Sequence, residues 1–133
     1  MPEATRVLII DDDAVTRLLV GSAMCGAGHE VLENDSGETA MATLEECRPE
    51  LILLDLEMPG MGGLAFCRWL RTRPACHNLP VLVMTAHDDS TTIQNAFDAG
   101  ASDFIAKPLN FNILVHRVRF LLRARDNLRA LER

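Results

Sequence analysis

Residues 51–63 read LILLDLEMPGMGG, a short apolar run that ends in a carboxylate and continues into a glycine-rich loop. The run at 51–54 is continuously apolar rather than alternating, which is typical of a parallel strand covered on both faces. Apolar residues at positions 64, 67 and 70 then follow the spacing of a helix. Strand, loop and helix together predict one βα unit.

The same unit recurs along the chain. Apolar runs at 7–10 and 81–84 predict two more buried strands, and weaker candidates lie at 30–33 and 103–106. Amphipathic patterns alternate with these strands and predict helices, the last of which begins near Asn112. Five βα units predict a doubly wound parallel sheet with helices on both faces. The apolar residues that mark the other four helices are Val15, Leu18, Leu19 and Ala23, then Ala40, Met41 and Leu44, then Ile93, Ala96 and Phe97, and finally Leu114, Val118, Leu121 and Leu122.

The composition of the 133-residue chain is that of one globular domain. Its net charge of −6 disfavours nucleic-acid binding through the whole surface, and no apolar run approaches the ~20 residues of a membrane-spanning helix. The N-terminus lacks the basic and apolar segments of a signal peptide. The four cysteines form no CxxC pair, so reduced thiols are expected. These features predict a cytoplasmic protein that neither enters a membrane nor binds nucleic acid directly.

Polar side chains follow four of the five predicted strands. Asp11 and Asp12 follow the first strand, Asp55 the third, Thr85 the fourth, and Lys107, the only lysine, the fifth. Ligands of such sheets gather at the carboxyl ends of the strands. Three carboxylates, a hydroxyl and an ammonium are therefore expected to meet at one edge of the sheet.

Clustered carboxylates suit a hard divalent cation such as Mg²⁺. A metal, an ammonium and a hydroxyl around a carboxylate nucleophile are the components of phosphoryl transfer through an aspartyl phosphate. Two classes of protein use this chemistry, a signalling receiver and a Mg²⁺-dependent phosphatase with an aspartyl nucleophile. The phosphatase would want a second aspartate two residues after Asp55, where Glu57 stands, and a cap insertion for which the chain has no room. Asp13 is expected only to cap the first helix.

Four segments, at 7–13, 53–63, 83–86 and 103–108, carry a resemblance to a known family. In order and spacing they resemble the CheY-like receiver domain of two-component response regulators, over roughly residues 5–123. The resemblance implies a flavodoxin-like (βα)5 sheet with strand order 2-1-3-4-5. It implies a receiver that phosphorylation activates and that switches an output or partner interface, with no catalysis beyond its own phosphorylation and dephosphorylation.

The resemblance also assigns the metal and phosphoryl sites. It implies that Asp55 is the phosphoacceptor, which takes its phosphoryl group from a phosphohistidine of a sensor kinase or phosphotransfer protein. Asp12 would bind Mg²⁺ directly and Asp11 through water, while Asp55 and the backbone carbonyl of Glu57 complete the protein ligands.

Further positions are implied to act on the bound phosphoryl group. Lys107 would pair with one phosphoryl oxygen and the Thr85 hydroxyl with another, and Pro108 would follow a cis peptide bond. Phe104 takes the place of the switch aromatic, which is tyrosine in many members, so packing rather than a hydroxyl must drive its movement. Glu57, beyond the acceptor, and His87, beyond Thr85, occupy the two positions that tune the lifetime of the phosphoryl group in this family; the direction of the Glu57 effect stays open.

The C-terminal pattern is longer than the sheet requires. Residues 112–133 contain no proline or glycine and would form ~33 Å of helix against strands of ~17 Å. We expect a receiver domain over 1–123 and a helical extension over 124–133. The extension is interpreted as a frayed basic helix, a linker to an absent output domain, or a homodimer contact. The run HRVRFLLRA at residues 116–124 resembles, less specifically, receivers that precede diguanylate cyclase (GGDEF) modules, so an output domain outside the chain could be an enzyme.

Overall fold

The computed structural model describes residues 4–131 and contains one five-stranded parallel sheet. The strands lie in the order β2-β1-β3-β4-β5, so the predicted doubly wound fold is confirmed. The strands are β1 (Arg6–Ile10), β2 (Glu30–Asn34), β3 (Leu51–Asp55), β4 (Val81–Thr85) and β5 (Asp103–Ala106), and the helices are α1 (Ala14–Gly26), α2 (Gly37–Cys47), α3 (Gly62–Arg71), α4 (Ser90–Asp98) and α5 (Phe111–Leu131).

The central strands separate two apolar cores. Every residue of β3 and β4 is buried, as the continuous apolar runs predict for strands covered on both faces. Alternate side chains of β1 point to opposite sides, because the side-chain period of a strand is two residues. Val7 and Ile9 pack with α1 and α5, whereas Leu8 and Ile10 pack with α2 and α3. This arrangement holds the carboxyl ends of the central strands in fixed register.

Helix α1 begins where the sequence predicts, but of the four apolar residues that mark it only Ala23 packs against the core. Val15, Leu18 and Leu19 are 62%, 69% and 49% exposed, whereas Val20 and Met24 are fully buried. The inward face of α1 also contains Arg17, whose guanidinium donates a hydrogen bond to the Asp11 carbonyl oxygen at 2.7 Å. The predicted helix is therefore confirmed, but hydrophobicity alone does not locate its buried face, because that face contains an arginine.

Helix α5 continues without a break past the predicted domain boundary at residue 123. Leu114, Val118 and Leu122 pack on the sheet, and Arg125 beyond the boundary is also buried, while residues 126–131 are exposed. The last two residues of the predicted extension lie outside the described residues, so the division into 1–123 and 124–133 stays a prediction.

Two other sequence expectations concern membranes and thiols. No helix within residues 4–131 combines the length and apolarity that crossing a membrane requires. The four cysteines are free thiols, as expected, and comprise Cys25, Cys47, Cys67 and Cys76.

Candidate functional site

Three carboxylates meet at the carboxyl edge of the sheet. Strands β1 and β3 are neighbours, and the pairing of Ile10 with Leu54 brings the residues that follow each of them side by side. Oxygens of Asp11, Asp12 and Asp55 all lie within 4.8 Å of one another. Asp11 is fully buried and Asp55 is 2% exposed, while Asp12 lies on the surface. The cluster is therefore mostly buried and reaches solvent at Asp12.

Lys107 supplies the positive charge of this cluster. Its ammonium donates hydrogen bonds to Asp55 Oδ1 at 3.1 Å and to Asp11 Oδ2 at 3.4 Å. Partial burial acts to lower the pKa of Lys107, but the hydrogen bonds and charges of the two carboxylates outweigh burial and raise it above its ordinary value. Lys107 stays protonated across the physiological range. The peptide bond from Lys107 to Pro108 is cis, as the resemblance implies.

The Asp55 carboxyl has an unusual affinity for protons. Burial, opposed by the Lys107 hydrogen bond and reinforced by the Asp11 charge, raises the pKa of Asp55 to about 7. One ammonium does not balance three carboxylates that lie this close together. A divalent cation would supply the missing charge, and a set of hard carboxylate oxygens with an open side fits Mg²⁺.

The Asp13 carboxylate does not belong to the cluster, although the Asp13 backbone N–H donates to Asp11 Oδ1 at 2.9 Å. The Asp13 carboxylate accepts hydrogen bonds from the backbone N–H groups of Val15 and Thr16, both at 3.3 Å, and from the Thr16 hydroxyl at 2.6 Å. These contacts satisfy N–H groups of the first turn of α1. Asp13 is therefore the helix cap that the sequence predicts.

The end of β4 is tied to the loop after β3 by one carboxylate. The Thr85 hydroxyl lies 3.1 Å and 3.0 Å from the two carboxylate oxygens of Glu57, and the Ala86 N–H donates to Glu57 Oε1 at 2.6 Å. The Glu57 N–H donates to Asp55 Oδ1 at 3.2 Å. The Ala86 contact could not be predicted from the sequence, because a backbone N–H carries no signal in the residue type.

The remaining predicted residues surround this centre. Phe104 is half-buried and packs edge-on against Phe97 of α4, with ring centroids 6.3 Å apart and planes at 87°. The side chain of His87 is exposed, but its backbone N–H donates to the Thr85 hydroxyl at 2.9 Å. His87 therefore touches the centre through its backbone rather than through its imidazole.

Gly63 brings α3 against the strand that carries Asp55. A Cβ at this position would lie 2.5 Å from the Asp55 carbonyl oxygen and 2.7 Å from Leu56 Cα. Real Cβ atoms essentially never approach other atoms this closely. Gly63, the last glycine of the loop that the sequence marks, is thus required by the close approach of α3 to the backbone at the end of β3.

Comparison with known proteins gives one family for this chain. The family model described as the response regulator receiver domain matches residues 7–119. Among curated proteins, the DNA-binding response regulator MtrA of Mycolicibacterium paratuberculosis is 37% identical over 122 residues, which are 92% of this chain and 53% of that protein. The response regulator PleD of Caulobacter vibrioides is 36% identical over 132 residues, which are 97% of this chain and 29% of that protein.

A solved structure agrees with the sequence matches. The crystal structure of a putative response regulator from Chloroflexus aurantiacus superimposes with a TM-score of 0.87 at 34% identity, covering 90% of this chain and 98% of that one. The chain spans about half the length of the first curated relatives that it matches.

Proposed function

The chain belongs to the response regulator receiver domain family, and from this membership we propose that Asp55 accepts the phosphoryl group. A receiver domain of a two-component response regulator has a phosphorylation-activated signalling role, which confirms the function predicted from the sequence. The observation that carries the assignment of Asp55 is its buried carboxylate, which lies 3.1 Å from Lys107 and inside the carboxylate cluster.

The transfer itself is a displacement at phosphorus. An ionised oxygen of Asp55 would form a bond to the phosphorus of a phosphohistidine while the bond from phosphorus to the imidazole nitrogen breaks. The electron pair of the broken bond returns to the donor imidazole. Lys107 would keep its ammonium beside the acceptor oxygen and stabilise the negative charge that arrives with the phosphoryl group.

Asp11, Asp12, Asp55 and the backbone carbonyl of Glu57 would hold Mg²⁺. When bound, the ion would neutralise charge on the carboxylates and on the phosphoryl oxygens during transfer. The support for this ligand set is the spacing of the three carboxylates and the surplus of negative charge around one lysine.

Signalling would follow from movement of Thr85 and Phe104. The Thr85 hydroxyl would turn towards a phosphoryl oxygen, and Phe104, which has no hydroxyl of its own, would repack on α4. The edge-on contact between Phe104 and Phe97 makes the surface of α4 and β5 the region that such a movement would alter. Glu57 and His87 would set the lifetime of the phosphoryl group.

The partners are proposed from the family and from the relatives. A sensor histidine kinase or phosphotransfer protein would donate the phosphoryl group. The curated relatives are longer than this chain, and one is named as DNA-binding, which supports an output domain reached through α5. A diguanylate cyclase output and a homodimer contact stay open, and the cytoplasmic location stays a prediction.

The rival phosphatase function is not favoured. That class would use an aspartate two residues beyond the nucleophile as general acid, and this chain has Glu57, whose carboxylate is engaged by Thr85 and Ala86. Each described connection between a strand and the next helix is short, which leaves no cap insertion within residues 4–131.

The experiment that tests the proposal is phosphorylation of the purified chain by acetyl phosphate in the presence of Mg²⁺. Intact-mass spectrometry should show the gain of one phosphoryl group in the wild type and none in Asp55→Asn. Asp13→Asn is the matched control, because it removes a neighbouring carboxylate from a helix cap and should leave the modification unchanged. A folded wild type that gains no mass, or equal gain in Asp55→Asn, would contradict the proposal.

A further inference from the structure

One carboxylate engages two neighbouring hydrogen-bond donors at the end of β4. Glu57 Oε1 accepts the Ala86 N–H at 2.6 Å, and both Glu57 oxygens lie within 3.1 Å of the Thr85 hydroxyl. Glu57 lies only two residues beyond Asp55 in the sequence, and its backbone N–H donates to Asp55 Oδ1. Its side chain therefore spans from the loop that follows the acceptor to the adjacent strand end.

Each of these donors has a single proton to give. The Thr85 oxygen already accepts the His87 N–H at 2.9 Å, and its one proton is directed to Glu57 or to the His87 carbonyl at 3.1 Å. The Ala86 N–H is likewise committed to Glu57. A new acceptor on Asp55 can use either donor only after that donor has left its present partner.

Strand pairing puts these donors beside the acceptor. Asp55 is paired with Met84 in the register of β3 and β4, so Thr85 and Ala86 are the next residues along the neighbouring strand. A phosphoryl group on Asp55 would project from the carboxyl edge of the sheet, where these two donors lie. Its oxygens and the Glu57 carboxylate would compete for the same hydrogen bonds and would repel each other as like charges.

We propose that Glu57 is an internal competitor of the phosphoryl group, a positioning residue whose carboxylate holds Thr85 and Ala86 in the unphosphorylated protein and leaves them on phosphorylation. This inference rests on the proposed function of Asp55. Glu57 is exposed, so its side chain can leave towards solvent without rearranging the core. The free energy of breaking its two hydrogen bonds opposes the phosphorylated state.

Binding of beryllofluoride at saturating Mg²⁺ tests the competition, because this anion occupies the position of a phosphoryl group without a covalent reaction. Glu57→Ala should bind beryllofluoride about tenfold more tightly than the wild type by isothermal titration calorimetry, since each charge-assisted hydrogen bond that need not be broken favours binding. Glu57→Gln keeps an acceptor oxygen without the charge and should lie between the two.

Asp88→Ala is the matched control. Asp88 is an exposed carboxylate on the loop after β4, and within residues 4–131 it makes no hydrogen bond. Its removal changes the local charge equally but frees no donor, so binding should change by less than about twofold. If Asp88→Ala tightens binding as much as Glu57→Ala does, general electrostatics explains the effect and the competition is overturned.

The Ala86 amide proton provides a second readout that a purely structural role would not move. Its NMR signal should shift when Glu57 is replaced by alanine in the free protein, and it should shift on adding beryllofluoride to the wild type. The inference would be overturned if Glu57→Ala bound beryllofluoride no more tightly than the wild type, or if the Ala86 amide signal did not shift in Glu57→Ala. Loss of the proposed function is distinguishable, because the wild type and Asp88→Ala would then fail to bind beryllofluoride at all.

Discussion

The Lys107 ammonium lies 3.1 Å from Asp55 Oδ1, although β4 separates β3, which carries Asp55, from β5, which Lys107 directly follows. The lysine side chain extends across the end of β4 to reach the acceptor, and the same ammonium lies 3.4 Å from Asp11. It is 24% exposed, whereas the two carboxylates are almost completely buried. The cluster thus depends on one cation for its charge balance when no metal is bound.

Lys107→Met should therefore lower the stability of the metal-free protein and raise its affinity for Mg²⁺. We expect the free energy of unfolding to fall by about 1–3 kcal/mol, because buried carboxylates lose their compensating charge. The Mg²⁺ affinity should rise severalfold, because the ion no longer meets an ammonium at its site. Urea unfolding in EDTA and calorimetric titration with Mg²⁺ measure the two effects.

Arg68→Met is the control for Lys107→Met. Arg68 is an exposed cation on α3 that forms no ion pair within residues 4–131, so its removal should alter neither quantity appreciably. Equal Mg²⁺ affinity in Lys107→Met and in the wild type would contradict a competition between the ammonium and the metal.

The raised pKa of Asp55 predicts a stability that depends on pH. Because the folded protein holds the Asp55 proton up to about pH 7 and the unfolded chain releases it near 3.8, the folded state binds more protons within this window. The contribution of Asp55 to stability therefore falls as pH rises from about 4 to 7. Asp55→Asn has no such loss. The free energy of unfolding of Asp55→Asn should therefore exceed that of the wild type by an amount that grows, as pH rises across this window, to as much as about 4 kcal/mol.

Urea unfolding of both proteins in EDTA at pH 4, 5.5 and 7.5 would measure that advantage, with other titrating groups cancelling between them. A difference between Asp55→Asn and the wild type that stays constant with pH would show that Asp55 ionises normally.

The fold and the strand-end cluster could be predicted because they depend on local patterns. Continuous apolar runs identify buried parallel strands, and a parallel sheet brings the residues after those strands, such as Asp11 and Asp55, to one edge. The hydrogen bonds of Glu57 with Thr85 and Ala86 could not be predicted, since they join residues 28 and 29 positions apart through side-chain rotamers. The periodic patterns of a sequence do not specify which rotamer a side chain adopts.

The buried faces of α1 and α5 show a related limit. Each contains an arginine, Arg17 in α1 and Arg125 in α5, at a position that hydrophobicity assigns to solvent. A long arginine stem can pack on apolar neighbours while its guanidinium reaches a carbonyl at the edge of the sheet. Recognising such a residue requires knowing where that carbonyl lies, which only the assembled fold determines.

Arg125 should be the residue that anchors the end of α5 to the sheet. Its guanidinium donates to the Glu50 carbonyl at 3.2 Å and to the Glu50 carboxylate at 3.3 Å, and it also pairs with Asp126. Arg125→Ala should lower the free energy of unfolding by about 1–3 kcal/mol in urea titrations, because the Glu50 carbonyl loses this donor and the Glu50 carboxylate keeps only its contacts with Arg6. Arg125→Lys should recover little of the lost stability, since an ammonium does not reproduce the planar guanidinium with its several N–H donors.

Arg129→Ala serves as the comparison, because Arg129 lies one turn further along the same helix and is exposed. It should change stability by no more than about 0.5 kcal/mol. If Arg125→Ala is equally mild, the helix beyond residue 123 is energetically separate from the domain, and the predicted boundary stands. A large effect would place the boundary beyond residue 125.

Gly63→Ala should damage the carboxylate cluster without touching a charged group. The added Cβ would meet the Asp55 carbonyl oxygen at 2.5 Å and Leu56 Cα at 2.7 Å, and neither backbone atom can rotate away as a side chain would. We expect a loss of about 1–3 kcal/mol in unfolding free energy. Calorimetry should also show weaker Mg²⁺ binding, because relieving the clash displaces the backbone that carries the Asp55 carboxylate.

Gly26→Ala separates this steric effect from the general consequence of replacing a glycine. Gly26 ends α1, and a Cβ there would meet nothing within 4 Å, so alanine should be neutral or stabilise the protein by up to about 1 kcal/mol. The intrinsic preference of a helix for alanine applies at Gly63 as well and opposes the clash there. The prediction would be contradicted if Gly63→Ala were as stable as Gly26→Ala and had unchanged Mg²⁺ affinity. The loop could then move away from Asp55 without displacing its carboxylate.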